Sequence, residues 1–304
     1  MPVETFHWVA FNLTILILLG LDFWRFYANP HPIGLKEALW TTLGWVSLAF
    51  LFNIWIYYAF GLDPALKFLT GYVLEESLSV DNLFIFLLIF SHFKVPEASK
   101  RPVLFYGVLG AIVMRALLIW AGIVLVSHFQ WILELFAIFL IYIGLKLLFA
   151  REQKIDLEKN QLYRWLNSWM NVSPHYRGQK FFYKDQDKWV ATPLVIVLIM
   201  IESIDLLFAL DSVPAVLGIT TDPFIVYTSN IFAILGLRSL FFVLEGLMKL
   251  FYLLHYAVAI ILILIGCKMI AENFITIPIV VTLSTMLLIL MGALIASITC
   301  RAKK

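Results

Sequence analysis

The chain has 304 residues, of which 62% are hydrophobic, 16% aromatic and only 14% charged. Soluble globular domains carry about a quarter charged residues, so the composition excludes one and points to an all-α polytopic membrane protein partnered by the lipid bilayer. The formal net charge of +2 says little, because the distribution of Lys and Arg along a membrane protein matters more than their sum, and no nucleic-acid partner is expected.

No Lys or Arg precedes Arg25, so the basic leader of a cleavable signal peptide is missing and the first apolar run is expected to stay in the membrane. Windows of about 20 apolar residues fall near 6–26, 40–60, 68–90, 103–126, 131–149, 193–217, 224–246, 251–271 and 277–298. Nine spans with the N-terminus outside put seventeen basic residues in inside segments and two, Lys67 and Lys268, in outside ones. That bias follows the positive-inside rule and predicts a cytoplasmic C-terminus. Cys267 and Cys300 sit near span ends, without the spacing of a metal cluster, redox motif or disulfide framework.

The third run contains Glu75-Glu76-Ser77-Leu78-Ser79-Val80-Asp81-Asn82, three carboxylates within an otherwise apolar segment. The sixth contains a related string 130 residues later, Asp205-Leu206-Leu207-Phe208-Ala209-Leu210-Asp211-Ser212. Under alternating topology the copies run in opposite directions. An inverted repeat of helices 3–5 and 6–8 follows, with polar positions meeting at the repeat interface as in secondary transporters. The expected parts are peripheral helices over 1–67, a first repeat over 68–149, a cytoplasmic loop over 150–192, a second repeat over 193–271, and a ninth helix with a basic tail over 272–304. Within the loop, Leu162, Trp165, Leu166 and Trp169 have the spacing of an amphipathic surface helix. Phe181-Phe182-Tyr183 and Trp189-Val190 suggest a small hairpin.

A charge at the centre of a membrane helix costs roughly 2.5 to 3.5 kcal/mol on insertion scales, so each buried acid calls for a pathway, a partner or a bound cation. At 100° per residue Glu75, Ser79 and Asn82 share a helix face, as do Asp205, Ala209 and Ser212, joined by Glu202, while Asp81 and Asp211 lie about 120° away. Ligands must therefore converge from both helices, or the helices must break, and Pro214 offers a place to break. Arg115 and Arg238 are taken as the basic residues deep in the membrane, counter-charging or gating the site. Glu76 has an apolar counterpart, Leu206, and ranks below the other acids. Carboxylate, amide and hydroxyl oxygens suit Mn²⁺, Mg²⁺ or Ca²⁺.

The strings ExxLSxDN from Glu75 to Asn82 and ESIDLLFALDSVP from Glu202 to Pro214 are joined by Ala191-Thr192-Pro193-Leu194, Thr221-Asp222-Pro223-Phe224 and the run Ser229 to Arg238. Together they resemble the TerC family of integral membrane proteins, especially its Alx-like branch, over nearly the whole chain. The resemblance implies a bacterial inner-membrane protein related to LysE-type exporters, with members linked to manganese efflux. It also implies that the family's acidic motif falls on Glu75, Asp81, Asn82, Glu202, Asp205, Asp211 and Ser212. The expected function is export of a hard divalent cation, Mn²⁺ as transported substrate, by proton antiport and without an organic cofactor. Metal and protons would compete for the same carboxylates. The alternatives are a metal-handling membrane partner of exported proteins and an intramembrane carboxylate or metal enzyme, for which no HExxH or nucleophile-elbow motif is present.

Overall fold

The computed structural model describes residues 5–28, 33–129, 131–149, 172–173, 175–185, 188–247, 253–271, 274–275 and 277–301. Nine helices are found among them: α1 (Thr5–Ala28), α2 (Leu35–Phe60), α3 (Leu62–His92), α4 (Glu97–His128), α5 (Ile132–Phe149), α6 (Pro193–Leu217), α7 (Pro223–Leu247), α8 (Leu254–Ala271) and α9 (Ile279–Arg301). Seven are long and apolar enough to cross a membrane. The other two are α3, which carries the acidic string, and α8, apolar from Tyr256 to Ala271. This is the expected all-α polytopic membrane architecture.

Local chemistry sets the boundaries. Gly61, at φ 95°, ends α2 and begins α3, a left-handed backbone that other residues adopt at a penalty. Asp222 opens α7, its Oδ1 accepting the amide protons of Phe224 at 3.0 Å and Ile225 at 3.2 Å ahead of the proline start. Pro193 similarly begins α6 directly after Thr192. The break anticipated at Pro214 does not occur, because α6 runs continuously through it to Leu217. The proline lies in the last turn, where little ladder remains to disrupt, and the Gly218 amide bonds the Pro214 carbonyl at 2.9 Å to close the end.

The packing exchanges under the repeat. α3 lies chiefly on α7, its counterpart α6 lies chiefly on α4, and α5 pairs with α8. The α5–α8 contact is reciprocal to the residue. A β-carbon on Gly144 would lie 2.7 Å from the Ala259 carbonyl and 2.6 Å from the Ile263 side chain. One on Gly266 would lie 2.6 Å from the Ala137 carbonyl and 2.7 Å from the Ile141 side chain. The sequences match accordingly: Ala137-Ile138-Phe139-Leu140-Ile141-Tyr142-Ile143-Gly144-Leu145-Lys146 against Ala259-Ile260-Ile261-Leu262-Ile263-Leu264-Ile265-Gly266-Cys267-Lys268. Small residues at equivalent places let the two backbones approach, as membrane helix pairs require.

Around these six helices lie α2, on α7 and α3, and α9, on α8 and α3. Aromatic contacts seat α1, with Trp8 against Phe224 at 5.3 Å and Phe11 against Phe232 at 5.8 Å between ring centroids. The residues expected to form an amphipathic surface helix, 162–169, lie outside the described part. The expected hairpin is present as β1 (Phe182–Asp185) and β2 (Lys188–Ala191), antiparallel, with Phe182 opposite Ala191 and Asp185 opposite Lys188. The segment just before it docks on the α3–α4 turn: Tyr176 donates to the Phe93 carbonyl at 2.6 Å, Gln179 to that of Ala98 at 2.9 Å, and Ser99 to that of Gly178 at 3.1 Å.

Candidate functional site

The inward faces of α3, α4, α6 and α7 meet at Arg115. This side chain is fully buried, as are Glu75 and Asn230, while Ser212 and Asp205 are 1% and 3% exposed. Arg115 Nη1 contacts Glu75 Oε1 as an ion pair, though its approach is not that of a hydrogen bond. The same nitrogen donates to Asn230 Oδ1 at 3.0 Å and Ser212 Oγ at 3.3 Å, and Nη2 donates to Asp205 Oδ1 at 3.3 Å. Asn230 completes the ring by donating from Nδ2 to Glu75 Oε2 at 3.1 Å. Each half of the repeat thus supplies one carboxylate, and a planar guanidinium joins them, a geometry that an ammonium would not reproduce.

Hydrogen bonding is incomplete at this centre. Asp205 Oδ2 and Arg115 Nε are buried there without a hydrogen-bond partner, and so are Asn82 Oδ1 and Ser79 Oγ elsewhere on α3 and Glu202 Oε2 on α6. Buried polar atoms are nearly always satisfied, so each of these calls for an explanation. A cavity of about 10 Å³ borders Asp205 between Phe86, Leu104, Ile201 and Leu237. It is too small for a hydrated ion.

The remaining expected residues divide. Glu202 turns to α4, where a β-carbon at Gly110 would collide with its carboxylate. Asn82 is buried on α3. Asp211 is only partly buried on α6 and lies within electrostatic range of Lys146 on α5. Asp81 falls within α3, and its side chain lies outside the described part. Glu76 stands apart from Arg115, accepting from the Tyr72 hydroxyl at 2.9 Å and facing Gly236 of α7. Arg238 does not reach these acids, because Asp22 of α1 pairs with it instead. Among the described residues no three His, Cys, Asp or Glu side chains gather as a ready-made metal cluster. The expected convergence of carboxylates is reduced here to Glu75 and Asp205, with Arg115 lying between them.

Sequence reasoning missed two participants. Asn230 lies in the Ser229 to Arg238 run but carries no charge, and only the α3–α7 packing brings it to Glu75. Lys146 belongs to the α5–α8 repeat, so Arg115 and Arg238 are not the only basic residues within spans. Its counterpart Lys268, expected in an outside segment, instead occupies the last turn of α8, buried, with Nζ donating to the Gly218 carbonyl at 3.3 Å.

Residues 60–304 match the integral membrane protein TerC family. The chain is 41% identical over 292 residues to an uncharacterized membrane protein of Myxococcus xanthus, covering 96% of this chain and 91% of that one. It is 43% identical over 285 residues to a Salmonella typhi protein named putative membrane-bound redox modulator Alx, covering 91% and 88% of the two chains. An uncharacterized membrane protein of Rickettsia bellii is 39% identical over 291 residues, 96% of each chain. No solved structure matches. A family match over most of the chain, with relatives this similar along nearly their whole length, places the protein in the TerC family of integral membrane proteins.

Proposed function

We propose that the protein is a secondary transporter that moves a hard divalent cation, Mn²⁺ first among candidates, out of the bacterial cytoplasm in exchange for protons. The observation that carries this assignment is the pairing of Glu75 and Asp205, one from each copy of an inverted repeat, buried where the copies meet and held by a single guanidinium. Two carboxylates against one arginine leave a formal charge of −1, so an approaching divalent ion competes with Arg115 rather than adding to it. With Arg115 withdrawn, the ion and the two carboxylates would be neutral together. Asp205 Oδ2, Asn82 Oδ1 and Ser79 Oγ, which lack partners, are oxygens of the kind that replace water around Mn²⁺, while Mg²⁺ gives up its water reluctantly.

Protons enter the same account. An empty site keeps its acids compatible with the membrane by pairing or protonation, and a bound cation replaces either, so metal and protons exclude one another. Glu202 and Asp211 flank the pair along α6 and are assigned to proton or cation transfer toward it. The proposed orientation, N-terminus outside, puts the hairpin and the α3–α4 turn on the cytoplasmic side. The enteric relatives are named redox modulators; here such an effect would follow from the exported cation, since the groups gathered in the membrane are carboxylates, amides and a guanidinium.

Everted membrane vesicles energised to pump protons inward should accumulate Mn²⁺ when they contain this protein. Asp205→Asn vesicles with equal protein should not. Equal accumulation by both would remove the carboxylate pair from the pathway.

A further inference from the structure

The repeat aligns Arg115-Ala116-Leu117 of α4 with Arg238-Ser239-Leu240 of α7, and Asn82 of α3 with Ser212 of α6. The two equivalent arginines have different surroundings. Arg115 is fully buried across Glu75 and Asp205 and bonds Ser212 Oγ at 3.3 Å. Arg238 is drawn away by Asp22 of α1, a helix outside both repeats, and lines a cavity of about 30 Å³ with Glu37, Thr41, Arg101 and Ser239. That cavity is at the end of the bundle that carries the α3–α4 turn and the hairpin.

The mirror arrangement is legible in what lacks a partner. If Arg238 took the role of Arg115, it would approach the carboxylates from the side of Asn82, whose Oδ1 is buried without a hydrogen bond, as Arg115 approaches from the side of Ser212. Asp205 Oδ2 also lacks a hydrogen-bond partner, and the small cavity beside it is bordered by Leu237, the residue preceding Arg238. An inverted repeat held in one asymmetric arrangement has a second of similar construction, reached by exchanging the roles of its halves.

We propose that Arg115 and Arg238 alternate at the Glu75–Asp205 pair, one countering the charge of the metal-free site in each end state, with Asp22 holding Arg238 aside while Arg115 is engaged. This rests on the transport assignment above and adds a role for residues that touch no substrate. The metal-free carrier returns across the membrane with an arginine and a proton on the two acids, their charges summing to zero, and the loaded carrier crosses with the cation there instead. Arg238 and Asp22 are therefore positioning residues of the empty-carrier step alone.

The test compares two fluxes in proteoliposomes of purified full-length protein. Exchange of Mn²⁺ for labelled Mn²⁺ needs only the loaded carrier to reorient, whereas net Mn²⁺ efflux also needs the empty carrier to return. Arg238→Gln is expected to retain exchange within about twofold and to lose net efflux by more than about a hundredfold, the rate equivalent of stranding a buried charge. Asp22→Asn must show the same split more mildly, and it decides the matter if Arg238→Gln fails to insert. Exchange and net efflux falling together, or neither falling, would overturn the alternation while wild-type flux upholds the transporter. Absence of both fluxes in the wild type would instead remove the transport assignment beneath it.

Discussion

At the level of single residues, the central fact is one buried arginine shared by two acids. Removing one member of a buried ion pair strands the other, typically at about 3 to 5 kcal/mol, so Arg115→Leu should sharply lower the unfolding temperature of the detergent-purified protein, and Arg115→Lys only partly restore it. Charge-preserving rescue equal to wild type would show that the fork geometry is immaterial. Changes to the acids should act on flux more than on folding: Glu75→Gln and Asp205→Asn are expected to reduce Mn²⁺ transport at least about tenfold, each removing a charge-assisted contact of about 1.5 to 3 kcal/mol. Glu76→Gln, whose carboxylate answers Tyr72 rather than Arg115, should be milder at equal expression. Gly110→Ala offers a third probe, because the added methyl meets the Glu202 carboxylate. Transport that is unchanged in this variant would exclude Glu202 from the path.

At the level of elements, α5 and α8 bind through Gly144 and Gly266, and their equivalence predicts equivalent damage. Gly144→Leu and Gly266→Leu should each destabilise the purified protein by at least about 1 to 3 kcal/mol through overpacking, read as the loss of unfolding temperature; a large asymmetry between them would contradict the reciprocal packing. The nine helices were legible in the sequence because apolar length is set by the bilayer, whereas starts such as that of α3 directly after Gly61 fell outside the apolar window, which opened at 68. The Glu75 and Asp205 faces were legible from helical spacing. The convergence on Arg115 was not, since spacing along α3 and α6 says nothing of which neighbour faces them, and Asn230 and Lys146 gave no charge-pattern signal strong enough to stand out. The Pro214 break failed for a local reason, its place in the final turn of α6. The segment before the hairpin adds a pH prediction: burial pushes the Tyr176 hydroxyl up to about 12, so its bond to Phe93 belongs to the protonated form. The docked state keeps its full advantage below the ordinary tyrosine range near 10 and loses it as pH rises toward 12. Trp189 fluorescence should report undocking in that window, and Tyr176→Phe should lack the transition.

On the scale of the whole molecule, the proposed orientation puts the end of the bundle that carries the α3–α4 turn and the Arg238 cavity on the cytoplasmic side. In a background without the native cysteines, Gln153→Cys should resist an impermeant thiol reagent in intact cells, and Thr221→Cys, in the α6–α7 connection, should react. The reverse pattern would invert the chain. The most direct measurement is Mn²⁺ efflux from proteoliposomes that contain only this protein, followed with and without an opposing proton gradient. The account predicts flux that rises with the gradient, weak competition by Mg²⁺, and loss of both flux and gradient response in Asp205→Asn. Flux indifferent to the gradient would contradict proton coupling, and no flux for Mn²⁺, Mg²⁺ or Ca²⁺ would contradict the transporter itself.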